Sequence, residues 1–248
     1  MEAMLDRDRL SGASDEQLER GVRATDPMTL RGLLYYLTGD ESIADIPTGQ
    51  ATGRLVPLPD IVDQSARETI WDKALALLKR MRDEGLDPAR ADPARLKRAL
   101  ELSAGEPIAD ADLDMWMEQT AIDPWGRTFA WPQEPPRDRV ENFNVAVIGA
   151  GIGGLNAAIS LKRCGIPYFV IEKNADVGGT WLENTYPGAR VDSASRVYSH
   201  IFGIEYDFPY AFCPQQENLD YLRWVADHFG LREAIEFETE VSLSLIHI

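Results

Sequence analysis

The sequence is poor in cysteine and histidine, with two Cys and three His in 248 residues. Two distant cysteines form no disulfide framework, and scattered histidines offer no metal-ligand cluster, so we predict neither a disulfide scaffold nor a metal site. Basic residues are also scarce, because 25 Lys and Arg stand against 41 Asp and Glu for a net charge of −16. This balance argues against nucleic acid and anionic membranes as partners.

Long hydrophobic runs are absent as well. No apolar run approaches the roughly 18 residues of a membrane-spanning helix, and early acidic residues exclude a signal-peptide core. We therefore predict a cytoplasmic protein without a membrane partner. What the chain does have is 44% hydrophobic residues, enough for a core, and a length that allows one or two domains.

The first half of the chain has helical periodicity and carries no chemical motif. A capping box at 14–17 and the pair Asp26-Pro27 indicate two helix starts. Further helices are predicted over 60–82, from Asp92-Pro93 onward and over 110–119. The positions predicted to be buried are Leu30, Leu33, Leu34, Leu37, Ile70, Leu77, Leu78 and Met81. We predict an all-α N-terminal extension over 1–123, then a proline-rich linker over 124–140 attached by its tryptophans.

The most informative stretch runs from residue 143 to residue 198. Residues 143–148 predict a buried strand of a parallel sheet, which leads directly into the glycine turn at 149–154. Gly149 permits the tight turn, Gly151 lets a pyrophosphate approach the backbone, and Gly154 lets the next helix pack closely. The start of that helix offers N–H donors and a partial positive charge to phosphates.

A second strand is predicted over 167–172, and it ends on an acid. Glu172 follows Gly154 by 18 residues (172 − 154). In dinucleotide-binding units an acid at about this spacing binds a ribose hydroxyl. It favours a free 2′-hydroxyl, as in FAD or NAD, over a 2′-phosphate. The pattern predicts an α/β fold with a Rossmann-like βαβ unit; the alternative is a glycine-rich turn without a ligand.

Three further motifs follow in order. They are Gly178-Gly179-Thr180-Trp181, then Asn184-Thr185-Tyr186-Pro187-Gly188-Ala189-Arg190-Val191-Asp192, then Tyr198-Ser199. Together with the glycine turn and Glu172-Lys173, they resemble the FAD-domain motifs of class B flavoprotein monooxygenases, and Baeyer–Villiger monooxygenases most closely. The resemblance implies that residues 141–242 are the N-terminal part of an FAD-binding domain, and thus an incomplete Rossmann-like unit.

The resemblance also implies roles for individual residues. One group binds the FAD pyrophosphate and adenosine, and it consists of Gly149, Gly151, Gly153, Gly154, Glu172 and, through its backbone, Val241. In the second group, Thr180 and Trp181 lie along the flavin. Arg190, Val191 and Asp192 border the flavin and the nicotinamide of NADPH, and Tyr198 contacts the cofactor. Asp192 is the candidate catalytic residue, through its electrostatic effect on an Arg that is expected in the family but is absent from this chain.

Several of these residues have structural alternatives. Trp181 also suits a core aromatic, residues 186–188 suit a plain turn, and Asp192 suits a cap or a surface acid. His200 stands where the family often has another aromatic residue, and we interpret it as structural. We interpret His228 as an exposed helix residue and not as a ligand.

The implied activity is that of a FAD- and NADPH-dependent monooxygenase that inserts one oxygen atom of O₂ into a ketone to give an ester or lactone. The alternatives are a flavin-dependent monooxygenase acting on N or S, an NAD-dependent dehydrogenase, and a non-catalytic nucleotide-binding interaction protein. The N-terminal extension resembles that of the 4-hydroxyacetophenone monooxygenase subgroup. In that subgroup the extension supports dimerisation, so we expect a homodimer through these helices.

The last residues, 243–248, read Leu-Ser-Leu-Ile-His-Ile and resemble the translated end of a sequencing adapter. We expect a non-native tail on a fragment of a longer enzyme; the alternative is an ordinary terminal strand. The second glycine motif for NADPH and the F-x-G-x-x-x-H-x-x-x-W fingerprint do not occur in the chain. The resemblance also implies that strands from a later part of the enzyme close the sheet of the FAD domain, and without them the sheet keeps an exposed apolar edge. We therefore expect the chain by itself to bind FAD poorly and to be inactive.

Overall fold

The computed structural model describes residues 10–51, 58–86, 93–120, 131–200 and 205–242, together with residues 125, 129 and 203. The chain divides into two compact units, residues 1–123 and 124–248. Three features of the sequence lie outside the described residues: Asp92 of the predicted helix start, Pro124 of the predicted linker, and the predicted tail 243–248.

The first unit is mainly helical. Its elements are α1 (Asp15–Ala24), α2 (Pro27–Thr38), α3 (Glu41–Ala44), β1 (Gly49–Gln50), β2 (Pro59–Asp60), α4 (Gln64–Glu84), α5 (Pro93–Ala104), a 3-10 helix (Asp110–Asp112) and α6 (Leu113–Gln119). The strands β1 and β2 pair in antiparallel fashion. The predicted all-α extension therefore contains one small β-ribbon, which the helical periodicity did not indicate.

Side chains cap several of the helices of this unit at their first residues. The predicted capping box is confirmed, because the Ser14 side chain accepts from the Gln17 N–H and the Gln17 side chain accepts from the Ser14 N–H. Asp26 caps α2, in front of Pro27. The predicted start of the long helix at residue 60 is wrong. The Asp63 side chain accepts from the Ala66 N–H, and α4 begins only after this cap.

The core of the helical unit is centred on α2. Leu30, Leu34, Ile70 and Met81 are buried as predicted, and Leu37, Leu77 and Leu78 are partly buried. Leu33 is 44% exposed, which corrects the prediction. The buried arc of α2 is centred near Arg31 and Tyr35, so at about 100° per residue Leu33 points to the opposite side. At Gly32 an added Cβ would lie 2.3 Å from the Ala99 carbonyl, so glycine permits close contact between α2 and α5.

The second unit is an α/β unit around a small parallel sheet. Its elements are α7 (Arg137–Glu141), β3 (Val145–Ile148), α8 (Ile152–Arg163), β4 (Tyr168–Ile171), α9 (Thr180–Glu183), α10 (Gln215–His228), a 3-10 helix (Arg232–Ala234) and β5 (Ile235–Glu236). The strand order is β3-β4-β5 and both pairings are parallel. Strand β3, helix α8 and strand β4 form the predicted βαβ unit, and Gly165, with φ of 68°, follows the end of α8 as predicted.

Within the described residues, the core packs on one face of this sheet. Val147 and Val170 face a core that includes Leu155 of α8 and Val225 of α10. On the other face Ile148 is 62% exposed and Phe169 38% exposed. The prediction of a fully buried strand over 143–148 is therefore wrong. Strand β3 alternates between partly buried and exposed residues, as one packed face requires.

Two tryptophans hold the segment before α7 to the end of α8. The Arg163 guanidinium lies over the Trp125 ring, 3.6 Å from the ring centroid. The Trp131 indole N–H donates to the Cys164 carbonyl over 3.3 Å. The predicted linker thus includes the short helix α7 and contacts the α/β unit. Among the described helices, none has both the length and the apolar character needed to cross a membrane.

Candidate nucleotide-binding site

A cleft of about 280 Å³ opens at the carboxyl ends of β3 and β4. The glycine turn, the residues that follow β4 and the segment 239–241 form its walls. Ligands of parallel α/β sheets bind at this edge. The structure brings four predicted site residues together here, namely Gly149, Gly151, Glu172 and Val241. The lining residues to which the sequence assigned no role are Ile148, Ile171, Lys173, Asn174, Gly179, Glu183, Thr239 and Glu240.

The glycine turn is tightly packed against the start of α8. Gly149 has φ of 92°, a conformation that favours glycine, and its N–H donates to the Ile171 carbonyl over 2.8 Å. An added Cβ at Gly154 would lie 1.8 Å from the Gly149 carbonyl oxygen. The predicted packing role of Gly154 is therefore confirmed, since no larger residue fits without moving the turn.

Gly178 and Gly179 pack against the glycine turn. The Gly178 N–H donates to the Ala150 carbonyl over 3.1 Å. An added Cβ at Gly179 would lie 2.9 Å from the Cα of Gly151. Because two backbones approach this closely, the motif at 178–181 forms one wall of the glycine turn.

The start of α8 is available to an anion. Gly151 is the N-cap residue and has no side chain to accept from the first turn. The first N–H groups of a helix have no partner within the helix and carry a partial positive charge. Gly153 lies in this turn, and a Cβ added there would meet nothing within 4 Å. The turn thus has the backbone donors and the open space that a pyrophosphate requires.

Glu172 is 3% exposed and already has three partners from the protein. One carboxylate oxygen accepts from the Ala150 N–H over 2.6 Å, and the other accepts from the backbone and side-chain N–H of Asn174 over 2.8 and 2.9 Å. A carboxylate has about four acceptor positions, so one remains for a ligand hydroxyl. Glu172 therefore also has a structural role, because it ties the end of β4 to the glycine turn.

The segment after β5 runs along the end of β4. The Glu172 N–H donates to the Glu236 carbonyl over 2.9 Å, and the Thr239 N–H donates to the Glu172 carbonyl over 3.0 Å. The Glu238 N–H donates to the Asn174 carbonyl over 3.1 Å. These contacts carry the chain past Glu172 and bring Val241 to the cleft, where it is 36% exposed.

The charged side chains of the cleft are mostly acidic. The Lys173 ammonium lies 2.8 Å from the Glu183 carboxylate, which raises the pKa of Lys173 and lowers the pKa of Glu183. Glu172 and Glu240 also line the cleft, so three carboxylates face one ammonium. This end of the cleft suits hydroxyl donors and repels an additional phosphate.

Trp181, predicted to lie along the flavin, and Tyr198, predicted to contact the cofactor, form a ring pair that does not line the cleft. Their centroids are 5.8 Å apart and their planes meet at 80°. Thr180 begins α9, and the Trp181 carbonyl accepts from the Gln215 side chain. Within the described residues, the buried Trp181 indole N–H has no hydrogen-bond partner. Such an orphan donor is costly and marks a place where a ligand acceptor would be favourable.

The predicted residues 190–192 lie on a separate segment. Arg190 forms a β-bridge with Pro214, and the Val191 N–H donates to the Cys213 carbonyl over 3.1 Å. Val191 is buried, whereas the side chains of Arg190 and Asp192 are exposed. The structure does not bring these three residues to the cleft.

The two histidines among the described residues of the α/β unit, His200 and His228, are structural in their contacts. His200 is 7% exposed and burial lowers its pKa, while His228 is exposed and stacks on Trp224 with centroids 4.4 Å apart. Across the described parts of the chain, no group of three or more His, Cys, Asp or Glu side chains could hold a metal ion.

Comparisons with known proteins agree with this geometry. The family profile described as "NAD(P)-binding Rossmann-like domain" matches residues 147–206. A Baeyer–Villiger monooxygenase of Streptomyces coelicolor is 47% identical over 102 residues, which are 41% of this chain and 20% of that protein. An acetone monooxygenase (methyl acetate-forming) of Gordonia sp. is 37% identical over 104 residues, or 40% of this chain and 20% of that protein. The predicted Rossmann-like α/β fold is confirmed.

Among solved structures, an oxidized steroid monooxygenase bound to NADP matches 39% of this chain and 19% of its own, with 40% identity and a TM-score of 0.38. The chain spans about a fifth of the length of the curated relatives that it matches. The resemblance of its matched segment to Baeyer–Villiger monooxygenases is confirmed by these relatives. The resemblance of the extension to the 4-hydroxyacetophenone subgroup stays a prediction.

Proposed function

We propose that the α/β unit is the nucleotide-binding segment of a FAD- and NADPH-dependent monooxygenase of the Baeyer–Villiger type. The observation that carries this proposal is the cleft in which Gly149, Gly151, Glu172 and Val241 meet. It combines backbone donors for a pyrophosphate with an acid for ribose, at the sheet edge where dinucleotides bind. The relatives of this segment are named Baeyer–Villiger or FAD-binding monooxygenases, which favours FAD as the dinucleotide.

The residues present fit the adenosine and pyrophosphate half of FAD. The open space at Gly153 and the uncapped start of α8 suit the pyrophosphate, and the remaining acceptor position of Glu172 suits a ribose hydroxyl. The orphan Trp181 indole N–H suits an acceptor on the rest of the cofactor. When bound, FAD would supply the redox chemistry that activates O₂.

For the whole enzyme we propose the insertion of one oxygen atom of O₂ into a ketone to give an ester or lactone. In this proposal Arg190, Val191 and Asp192 border the flavin and the nicotinamide of NADPH, and Tyr198 contacts the cofactor. The exposed Asp192 carboxylate acts electrostatically and transfers no proton. Oxygenation at N or S is the second candidate, because its flavoenzymes share the motif at 178–181. We also propose that the helical unit supports a homodimer, which light scattering of the chain would measure.

Binding of adenosine nucleotides to the full chain tests the nucleotide proposal. We expect ADP, which has the adenosine and pyrophosphate groups of FAD, to bind in a calorimetric titration, because it needs only the contacts of this cleft and none of the flavin contacts for which the chain is expected to bind FAD poorly. Adenosine 2′,5′-bisphosphate should bind at least tenfold more weakly than AMP, which has the same 5′-monophosphate but a free 2′-hydroxyl. Its 2′-phosphate would face the carboxylates of Glu172 and Glu183, and tenfold corresponds to about 1.4 kcal/mol of repulsion.

Two alanine variants provide the matched comparison. In Gly151→Ala the added Cβ lies 3.5 Å from Gly179, an ordinary contact, so the protein should fold while the methyl group obstructs the pyrophosphate. Gly21→Ala places a methyl group in open space on α1 of the other unit and should bind ADP like the wild type. Absence of ADP binding by the wild type, or a preference for the 2′-phosphate, would contradict the proposal.

A further inference from the structure

His200 lies between helix α10 and the first residue of helix α8. Its Nε2 atom is 3.0 Å from the Ile152 carbonyl oxygen, and its Nδ1 atom is 3.1 Å from the Tyr221 hydroxyl. The backbone N–H of His200 also donates to that hydroxyl, over 2.7 Å. The histidine and the tyrosine are both buried, with 7% and 2% exposed. Two ring contacts and one backbone contact thus connect Tyr221 of α10 to the start of α8.

The partners assign a role to each atom in this chain of hydrogen bonds. A carbonyl only accepts, so His200 Nε2 carries the proton and donates to Ile152. In a neutral imidazole Nδ1 is then an acceptor, which the Tyr221 hydroxyl proton satisfies. The hydroxyl oxygen in turn accepts from the His200 N–H. Both ring nitrogens and the hydroxyl oxygen have a partner in this arrangement, which favours one orientation of the ring.

The carbonyl that His200 holds belongs to the glycine turn. Ile152 follows Gly151 directly, and its carbonyl shares a rigid peptide plane with the Gly153 N–H. In a helix the carbonyl points toward the C-terminus and the N–H of the same plane points back toward the N-terminus. The helix itself orients this peptide plane, and the additional hydrogen bond to the Ile152 carbonyl further restrains the direction of the Gly153 N–H, one of the N–H groups of the first turn without a helical acceptor.

We propose that His200 is a positioning residue for the nucleotide: through the Ile152 carbonyl it orients the Gly153 N–H toward the pyrophosphate. Tyr221 acts one step further away by holding the imidazole in its donor orientation. This inference rests on the proposed function, because it takes the ligand at the glycine turn to be a nucleotide. Nothing in the local sequence around 200 indicates the contact, because 48 positions separate His200 from Ile152.

Two variants at position 200 separate positioning from packing. In His200→Gln a side-chain N–H₂ at nearly the reach of Nε2 can still donate to the Ile152 carbonyl. In His200→Phe the ring volume is kept and the donor is lost. Loss of one hydrogen bond changes an equilibrium constant by roughly 2- to 10-fold. We expect His200→Phe to bind ADP more weakly by about that factor, and His200→Gln to stay within about twofold of the wild type.

Amide hydrogen exchange of the ligand-free chain gives a readout that does not depend on a nucleotide. We expect faster exchange across the first turn of α8 in His200→Phe than in His200→Gln or the wild type. Tyr221→Phe, which keeps the ring and removes the hydroxyl, should show a smaller change of the same sign. It also replaces the first variant if His200→Phe does not fold.

The outcomes distinguish this inference from the proposed function. Equal ADP affinity and equal exchange in the Phe and Gln variants would overturn the positioning role. An equal loss of ADP affinity in both variants, accompanied by an equal fall in melting temperature, would also overturn it, because lower stability would then explain the loss. If the wild type binds no ADP, the proposed function is overturned. Exchange alone then decides whether His200 orders the turn.

Discussion

At the scale of single residues, Gly154 is a position where the structure requires glycine because a side chain has no space. The Gly149 carbonyl occupies the place that a Cβ would take, at 1.8 Å. That carbonyl belongs to the residue with φ of 92°, so it moves only if the turn itself changes. The helix and the turn are therefore one packing unit.

Gly154→Ala should accordingly destabilise the protein strongly. Overpacking of this kind costs typically 1–3 kcal/mol, and here the clashing atom is backbone and has little freedom to move. Gly153→Ala is the control, because its methyl group meets nothing within 4 Å and removal of a helical glycine gains about 0.5–1 kcal/mol. Urea unfolding monitored by circular dichroism measures both. Equal stability of the two variants would contradict the close packing described for Gly154.

The sequence predicted part of the cleft for a clear reason. The glycine turn and Glu172 belong to one local strand–turn–helix–strand pattern, and their spacing determines where they meet. Lys173 and Asn174 follow Glu172 at the carboxyl end of a predicted strand. Because ligands of parallel sheets bind at the carboxyl ends of the strands, these two residues could have been predicted to line the cleft. Glu183 and Glu240 enter the cleft through contacts between distant segments, for which no local pattern exists.

At the scale of elements, the first residue of a helix depends on capping side chains, which hydrophobic periodicity does not detect. The apolar spacing in 60–82 indicated one helix, but Asp63 caps α4 and Asp60 belongs to a two-residue strand. The same limit applies to strand burial, because an apolar run at 143–148 reads as buried on both faces. Its true exposure depends on which helices pack on the sheet, and the described helices pack on one face.

Arg31 is the element-scale contact that sequence reasoning missed. It is 6% exposed, and its guanidinium donates to the carbonyls of Ile43, Ala44 and Leu102 over 3.2, 2.7 and 3.5 Å. These carbonyls lie in α3 and in the last turn of α5, where the carbonyls lack helical partners and the dipole is negative. Burial lowers the pKa of Arg31. The sequence around Arg31 shows only a polar residue within an apolar helix face, and this pattern does not predict that its side chain connects the ends of two other helices.

Arg31→Met should therefore destabilise the helical unit although methionine suits a core. The loss removes the guanidinium donor from the carbonyls of Ala44 and Leu102, and a buried carbonyl left without a donor costs about 1–3 kcal/mol. Arg31→Lys should recover only part of this, because an ammonium lacks the planar fork that reaches three carbonyls. Thermal unfolding of the full-length variants would measure both, with the surface change Arg80→Met on α4 as control. A wild-type melting temperature in Arg31→Met would rule out this role.

At the scale of the whole molecule, the dominant property is excess negative charge. Even if every Lys and Arg were paired with one acid, 16 acids would remain (41 − 25). Exposed ion pairs such as Lys79 with Asp15 contribute little to stability, because solvent screens them. The unpaired acids repel one another at pH 7, far above the isoelectric point of about 4.6, and this repulsion opposes the compact state.

Salt should therefore stabilise this protein at pH 7. Raising NaCl from 0.01 to 0.15 M shortens the screening length from about 30 to about 8 Å, which weakens repulsion across the surface more than contacts within ion pairs. If screening recovers about 1 kcal/mol, the melting temperature should rise by about 2–4 °C, as measured by scanning calorimetry. The control is the same series near pH 4.6, where the net charge is close to zero and the rise should vanish. A melting temperature that falls with salt at pH 7 would mean that ion pairs outweigh the repulsion of the excess acids.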